Sequence, residues 1–178
     1  MIFRNLAILA AAIASPLPAS QSAAPTPAPA PPPPACEAPG HRQFDFWVGH
    51  WDVYPTGTDQ LVAHSLIEKL YAGCAIRENW MPLRGPGGGS LNSWRPAERQ
   101  WRQVWTDGGN GWNEYVGGLD GEAMVLTART TLPDGREALN RMRYTRESGG
   151  AVRQLGTQST DGGETWQTRY DFTYRPAR

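Results

Sequence analysis

The sequence has few of the residues that build metal and redox centres, with only two cysteines and three histidines in 178 residues. The histidines are His41, His50 and His64, all in the first half of the chain. A zinc site needs three or four converging ligands, and these residues offer too few on neighbouring strands. We therefore expect no metal. Because no complete cofactor motif is found, we also expect no cofactor.

An excess of charge is missing too, since 17 basic residues balance 17 acidic ones. Nucleic-acid-binding proteins need a basic surface to neutralise phosphates, and polybasic segments attract anionic lipids. The glycine-rich segment at 85–90 ends in Ser90 and lacks the Lys-Ser/Thr pair of a phosphate-binding loop. The sequence therefore argues against nucleic acid as a partner, and we interpret 85–90 as a loop at the rim of the domain.

Long hydrophobic runs are also missing, because the only apolar run, at 6–14, is about half the ~20 residues that span a bilayer. It follows Arg4 and precedes small residues, which predicts a signal peptide over 1–24 and no integral membrane segment after its cleavage. Eight prolines over 25–39 predict a disordered spacer, bounded here as 25–40. One domain then occupies 41–178, and we expect it to be periplasmic or secreted.

The two cysteines, Cys36 and Cys74, would both remain after export, in a compartment where disulfides persist. A bridge between them would tie the end of the spacer to the start of a predicted strand. The alternative is two separate thiols, one buried and one exposed. We favour the disulfide.

Helical periodicity is almost absent beyond residue 40. Short segments rich in Trp, Tyr, Val and Thr alternate with clusters of Gly, Pro, Asn and Asp, which is typical of an all-β domain. We predict strands at 48–54, 61–71, 74–81, 90–95, 100–106, 111–118, 122–130, 138–146, 151–158 and 165–174. The short connections favour a single antiparallel up-and-down barrel of about 8–10 strands, with a helical turn at 42–47 plugging one end.

The triplet Gly49-His50-Trp51 stands on the first predicted strand, where lipocalin-like barrels carry a Gly-x-Trp. In such a strand the Trp closes the floor of the barrel, and the Gly lets the chain wrap around it without a Cβ clash. On the last predicted strand, alternation places Trp166, Tyr170 and Tyr174 on one face.

A pocket is predicted from the same alternation. Several strands each offer one face that combines aromatic and polar side chains. We predict that these faces surround one cavity and that the ligand-binding residues are Glu78, Trp80, Asn92, Gln103, Trp105, Arg143 and Gln154. A buried Glu78 facing Arg143 would orient a ligand or tune a proton transfer. The alternative is that these faces point outward and the opposite residues pack inside.

Several of these pieces recur together in a known family. They are the run 44–53, Gly73-Cys74 with Glu78-x-Trp80, Ser90-Leu91-Asn92, Trp101-x-Gln103-x-Trp105, 152–154 and the turn at 161–166. Together they resemble a family of exported bacterial proteins, a domain of unknown function with no assigned reaction. The resemblance implies a calycin-type barrel, akin to lipocalins and fatty-acid-binding proteins. His50 departs from the family pattern, which often has an acidic residue there.

We expect the barrel to bind a small, largely apolar ligand in its lumen, and we favour binding over catalysis. One alternative is an acid–base enzyme, such as a cyclase, isomerase or dehydratase, in which Glu78 is the acid or base and Arg143 its electrostatic partner. Another is a carbohydrate-binding module that uses Trp platforms. The sequence says nothing about the oligomeric state.

Overall fold

A computed structural model describes residues 36–177. The predicted signal peptide at 1–24 and most of the predicted spacer at 25–40 lie outside the described residues, so both stay predictions. Within 36–177, no helix is long and apolar enough to cross a membrane.

Ten antiparallel strands make up almost all of the regular structure. Their bounds are β1 Gly49–Pro55, β2 Ala63–Leu70, β3 Ala75–Pro82, β4 Gly88–Arg95, β5 Gln100–Asp107, β6 Trp112–Asp120, β7 Ala123–Thr131, β8 Glu137–Arg146, β9 Val152–Ser159 and β10 Gln167–Pro176. Each strand pairs with the next one along the chain, and β10 pairs with β1 to close the barrel. The predicted all-β up-and-down barrel is confirmed, and no predicted strand end is wrong by more than two residues.

Alternation along each strand decides which side chains face the lumen. On β1, Trp51 and Val53 are buried and point inward. Cross-strand pairing carries this register around the barrel, so that Ile67 of β2 lies opposite Glu78 of β3, and Glu78 lies opposite Ser90 of β4. Tight hairpins fit between the strands because their glycines take left-handed conformations, as Gly135 does with a φ of 85°.

An aromatic plug fills one end of the barrel. It consists of two short 3-10 helices, Pro39–Arg42 and Asp45–Trp47, where the sequence predicts a single turn over 42–47. Between and within them, Phe44 and Trp47 are fully buried, and their rings stack at 4.9 Å. Tyr144 of β8 packs on both rings from the lumen side, with centroid distances of 5.0 and 4.9 Å. The interior is therefore densely packed at this end.

The Gly49–Trp51 pair joins this plug to the first strand. The indole Nε1 of Trp51 donates a hydrogen bond to the carbonyl of Trp47 at 2.8 Å. A Cβ on Gly49 would lie 3.2 Å from the Trp51 ring, which is tighter than an ordinary contact. Glycine at 49 thus lets the Trp51 ring fold back along its own strand and reach the plug.

Two cross-links hold the plug against the β2–β3 turn. Cys36 and Cys74 form the predicted disulfide, which is confirmed with an S–S distance of 2.01 Å. The Nζ of Lys69 on β2 also donates to Asp45 Oδ2 at 2.6 Å. The disulfide closes a loop of 38 residues that contains the plug and the first two strands.

A bulge in β10 corrects the predicted face of Trp166. The pairing with β9 shifts between Thr168 and Tyr170, so one extra residue interrupts the alternation. Tyr170 and Tyr174 point inward, but Trp166 packs on the outer face, where the Arg141 guanidinium lies 3.6 Å from the centroid of its ring. The strict alternation predicted across 165–174 is therefore wrong at its first residues.

Candidate functional site

The lumen contains a cavity of about 320 Å³ beyond the plug. Six strands supply its lining, which is Glu78, Trp80, Gln103, Trp105, Asn113, Tyr115, Met142, Tyr144, Gln154, Tyr170, Phe172 and Tyr174. The volume falls at the small end of the ~300–1,000 Å³ typical of ligand pockets.

Five of the seven predicted site residues lie on this cavity: Glu78, Trp80, Gln103, Trp105 and Gln154. Asn92 lies behind Gln103, where it is 1% exposed and accepts a hydrogen bond from the Gln103 amide. The structure therefore brings six of the predicted residues together on the inner face.

Arg143 is the exception. On β8, Met142 and Tyr144 point into the lumen, so Arg143 between them points outward. Its side chain is 45% exposed and lies 3.1 Å from a carboxylate oxygen of Asp120. The predicted pairing of Glu78 with Arg143 is therefore wrong. Within 36–177, none of the side chains lining the cavity is a lysine, arginine or histidine.

Among the described residues, Glu78 is the only carboxylate on the cavity, and it is 4% exposed. Its Oε1 accepts a hydrogen bond from Ser65 Oγ at 3.0 Å and lies 3.4 Å from the Tyr174 hydroxyl, whose single hydrogen is shared between this oxygen and Gln154 Oε1. Burial raises the pKa of Glu78 from its ordinary value of 4.5 to about 7, although these hydrogen bonds oppose the rise. Near neutral pH, both the acid and the carboxylate are populated.

A polar chain fixes the orientation of Gln103. The Nδ2 of Asn92 donates to the Ile76 carbonyl at 3.0 Å and to Ser90 Oγ at 2.9 Å. The Oδ1 of Asn92 then accepts from Gln103 Nε2 at 2.6 Å. This leaves Gln103 Oε1 buried without a hydrogen-bond partner among the described residues. Such an atom is costly unless a water or a ligand satisfies it.

A second polar chain links the tyrosines. The Tyr174 hydroxyl donates to Gln154 Oε1 at 2.7 Å, and Gln154 Nε2 donates to the Tyr144 hydroxyl at 2.9 Å. Burial raises the pKa of both tyrosines well above the ordinary value, so their hydroxyls stay neutral. Burial likewise raises the pKa of Tyr115 and Tyr170.

The ligand-binding residues predicted from the sequence did not include these four tyrosines, although the alternation along the strands indicates an inward face for most of them. Tyr170 and Tyr174 alternate with Phe172, and Tyr144 follows Met142 at the same spacing. Tyr115 follows Asn113 in a strand interrupted by glycines, where the buried face is hard to recognise.

Aromatic rings form the wall farther from the plug. Trp80 packs against Phe172 with ring centroids 5.7 Å apart, and Tyr170 stacks on Phe172 at 5.5 Å. On the opposite wall, Trp105 is held by a hydrogen bond from its Nε1 to Asp107 Oδ2 at 2.9 Å. The cavity thus combines an apolar aromatic section with an inner polar section.

This arrangement offers neutral hydrogen bonding, aromatic contact and one ionisable carboxylate. Within 36–177, no three His, Cys, Asp or Glu side chains lie close enough together to hold a metal ion. No protein-family model and no curated protein matches the sequence, so the geometry alone must carry the functional conclusion.

Proposed function

We propose that the protein binds a small, largely apolar molecule in the lumen of its barrel. The observation that carries the proposal is the cavity of about 320 Å³, walled by Trp80, Trp105 and Phe172, with polar groups gathered at its inner end. Ligand pockets in general combine apolar walls with a few convergent polar groups that set orientation. The lumen has both features.

The size of the cavity favours a compact ligand. A molecule of one or two rings would contact the aromatic walls on both sides, and aromatic contacts add to the gain from burial. The resemblance to lipocalins and fatty-acid-binding proteins is useful for the architecture and less so for the ligand.

The compartment forms part of the proposal. A disulfide between Cys36 and Cys74 persists in oxidising surroundings, and such surroundings lie outside the cytoplasm of most cells. Together with the predicted signal peptide over 1–24, this supports a periplasmic or secreted protein.

Ligands carried through native purification would be identified by native mass spectrometry.

Calorimetric titration with 2-naphthol, an uncharged two-ring probe, tests the proposal directly. We expect Trp105→Ala to weaken binding by roughly tenfold or more, because one aromatic wall is lost. Trp112→Ala is the matched control, since Trp112 follows on β6 but is 63% exposed on the outer face. Equal affinity in all three proteins, or no binding in any, would contradict lumen binding.

Glu78 favours one second candidate, an acid–base enzyme. A buried carboxyl with a pKa of about 7 exchanges a proton readily near neutral pH. Proton nuclear magnetic resonance in D2O would follow exchange of the acidic α-hydrogens of 2-tetralone, a two-ring ketone. Catalysed exchange that Glu78→Gln abolishes would support an enzyme. Exchange at the uncatalysed rate would leave binding as the better interpretation.

A further inference from the structure

We infer that the lumen selects a neutral ligand that donates an O–H or N–H hydrogen bond to Gln103 Oε1, and that it discriminates against carboxylates. The inference rests on the proposed function and specifies the chemistry of its ligand. It departs from the fatty-acid type of ligand that the resemblance would suggest.

The first step is the orientation of the Gln103 amide. A backbone carbonyl can only accept, so the Ile76 carbonyl requires the amide nitrogen of Asn92. The Asn92 oxygen must then face Gln103, and it requires the Gln103 nitrogen in turn. Turning the Gln103 amide over would place two acceptors 2.6 Å apart. The chain of bonds therefore fixes Gln103 Oε1 as the free end.

The second step is the position of that oxygen. The Gln103 side chain is 2% exposed and lines the cavity beside the Tyr144 hydroxyl, and its Oε1 is buried with no hydrogen-bond partner among the described residues. An unpaired buried acceptor lowers stability, and a ligand that supplies a donor recovers much of this loss. A ligand without a donor leaves the oxygen unpaired.

The third step concerns charge. In the part of the chain that the structure describes, the cavity lining includes the Glu78 carboxyl and no cationic side chain. A ligand carboxylate would lose its hydration and gain no counter-charge, and it would meet the like charge of ionised Glu78. Neutral hydroxyls of Tyr115 and Tyr170 also line the cavity. They suit the oxygen of a ligand hydroxyl, which accepts as well as donates.

Three probes with one ring system separate these effects by calorimetric titration at neutral pH. They are 2-naphthol, which donates; 2-methoxynaphthalene, which keeps the oxygen but has no donor; and 2-naphthoate, which is anionic. We expect 2-naphthol to bind roughly five- to tenfold more tightly than 2-methoxynaphthalene. We expect 2-naphthoate to bind more weakly than both.

Gln103→Met tests the residue itself, because it keeps a side chain of similar length without the amide. In this variant, 2-naphthol and 2-methoxynaphthalene should bind with about equal affinity. Gln100→Met, at the exposed start of the same strand, is the matched control and should keep the wild-type preference. If Gln103→Met does not fold, the ratio of the 2-naphthol and 2-methoxynaphthalene affinities in the wild-type protein still tests the inference.

The outcomes are distinct. Binding of all three probes with equal affinity, or tightest binding of 2-naphthoate, would overturn the inference and leave lumen binding intact. Binding of none would overturn the proposed function, and the inference would fall with it. A wild-type preference for 2-naphthol that Gln103→Met leaves unchanged would show that another group accepts the bond.

Discussion

At its plugged end the barrel interior is filled with rings, whereas the other half of the same interior is partly hollow and lined with polar groups. Phe44, Trp47 and Trp101 are almost completely buried at the plugged end and contact one another or Tyr144. Beyond Tyr144, the side chains of Glu78 and other polar residues surround a cavity of about 320 Å³. Both halves belong to the same closed sheet.

This difference shows that close packing and buried polar groups are separated along the barrel axis. Close packing stabilises the plug through dispersion and burial without gaps. The plug is stable even though Trp47 Nε1 has no hydrogen-bond partner among the described residues. The hollow half has fewer packing contacts. Among the described residues, it contains the buried acid Glu78 and the buried acceptor Gln103 Oε1, which has no hydrogen-bond partner. Groups that are costly for stability are those a ligand can satisfy.

The largest expected effect comes from the same substitution at the two ends. We expect Trp47→Ala to lower the free energy of unfolding by about 3–5 kcal/mol, because it empties the centre of the plug. Trp105→Ala should cost less, about 1–2 kcal/mol, because a ring at the edge of a cavity loses fewer contacts. Urea denaturation followed by circular dichroism measures both.

Trp112→Ala is the matched control for this pair. Its ring is 63% exposed, so the change in unfolding free energy should stay within about 0.5 kcal/mol. Equal losses for Trp47→Ala and Trp105→Ala would show that the two halves are not energetically distinct.

The next effect concerns the cross-link between plug and barrel. Replacing both cysteines in Cys36→Ala/Cys74→Ala opens a loop of 38 residues. Loop entropy predicts a loss of about 3–4 kcal/mol in the free energy of unfolding. Hydrogen exchange should show the earliest loss of protection in the segment around Phe44 and Trp47. Uniform loss across all ten strands would argue against a local role for the disulfide.

The third effect is a pH dependence that belongs to the hollow half. Glu78 has a folded-state pKa of about 7, above its ordinary value of 4.5, so the folded protein binds the extra proton between these values. The stabilisation is complete below the unfolded pKa and is lost as pH rises through 7. Urea denaturation should show a fall of about 3 kcal/mol across this window.

Glu78→Gln supplies the control for this measurement. Glutamine has a similar shape and does not titrate, so the slope of stability between the two pKa values should largely disappear. A slope that persists in Glu78→Gln would assign the pH dependence to another group.

Most of the fold could be predicted from the sequence, because each strand is bounded by turn residues and alternates in its own segment. The disulfide could also be predicted, because only two cysteines are present. The alternation on the strands containing Glu78, Gln103 and Gln154 correctly indicated the faces that point inward.

The face of Arg143 was assigned wrongly although the local pattern indicates it, and the face of Trp166 could not be read from the local pattern. On β8, Met142 points inward, whereas Arg141 and Arg143 point outward. A shift of one residue in the register reverses the face on which a side chain lies. The alternation of Met142 and Tyr144 was the signal that places Arg143 outside. In β10, the alternation of apolar and polar residues does not indicate the bulge before Tyr170. The bulge places Trp166 on the outer face.

By itself, the sequence determined the strands, their hairpin order and the polar and aromatic content of each face, because these depend on neighbours along one strand. Only the tertiary structure decided that the plug fills one end and leaves a cavity at the other. It also decided that the free atom of the Asn92–Gln103 chain is an acceptor. Both depend on side chains from different strands that meet only when the barrel closes, so their distances cannot be derived from any one segment.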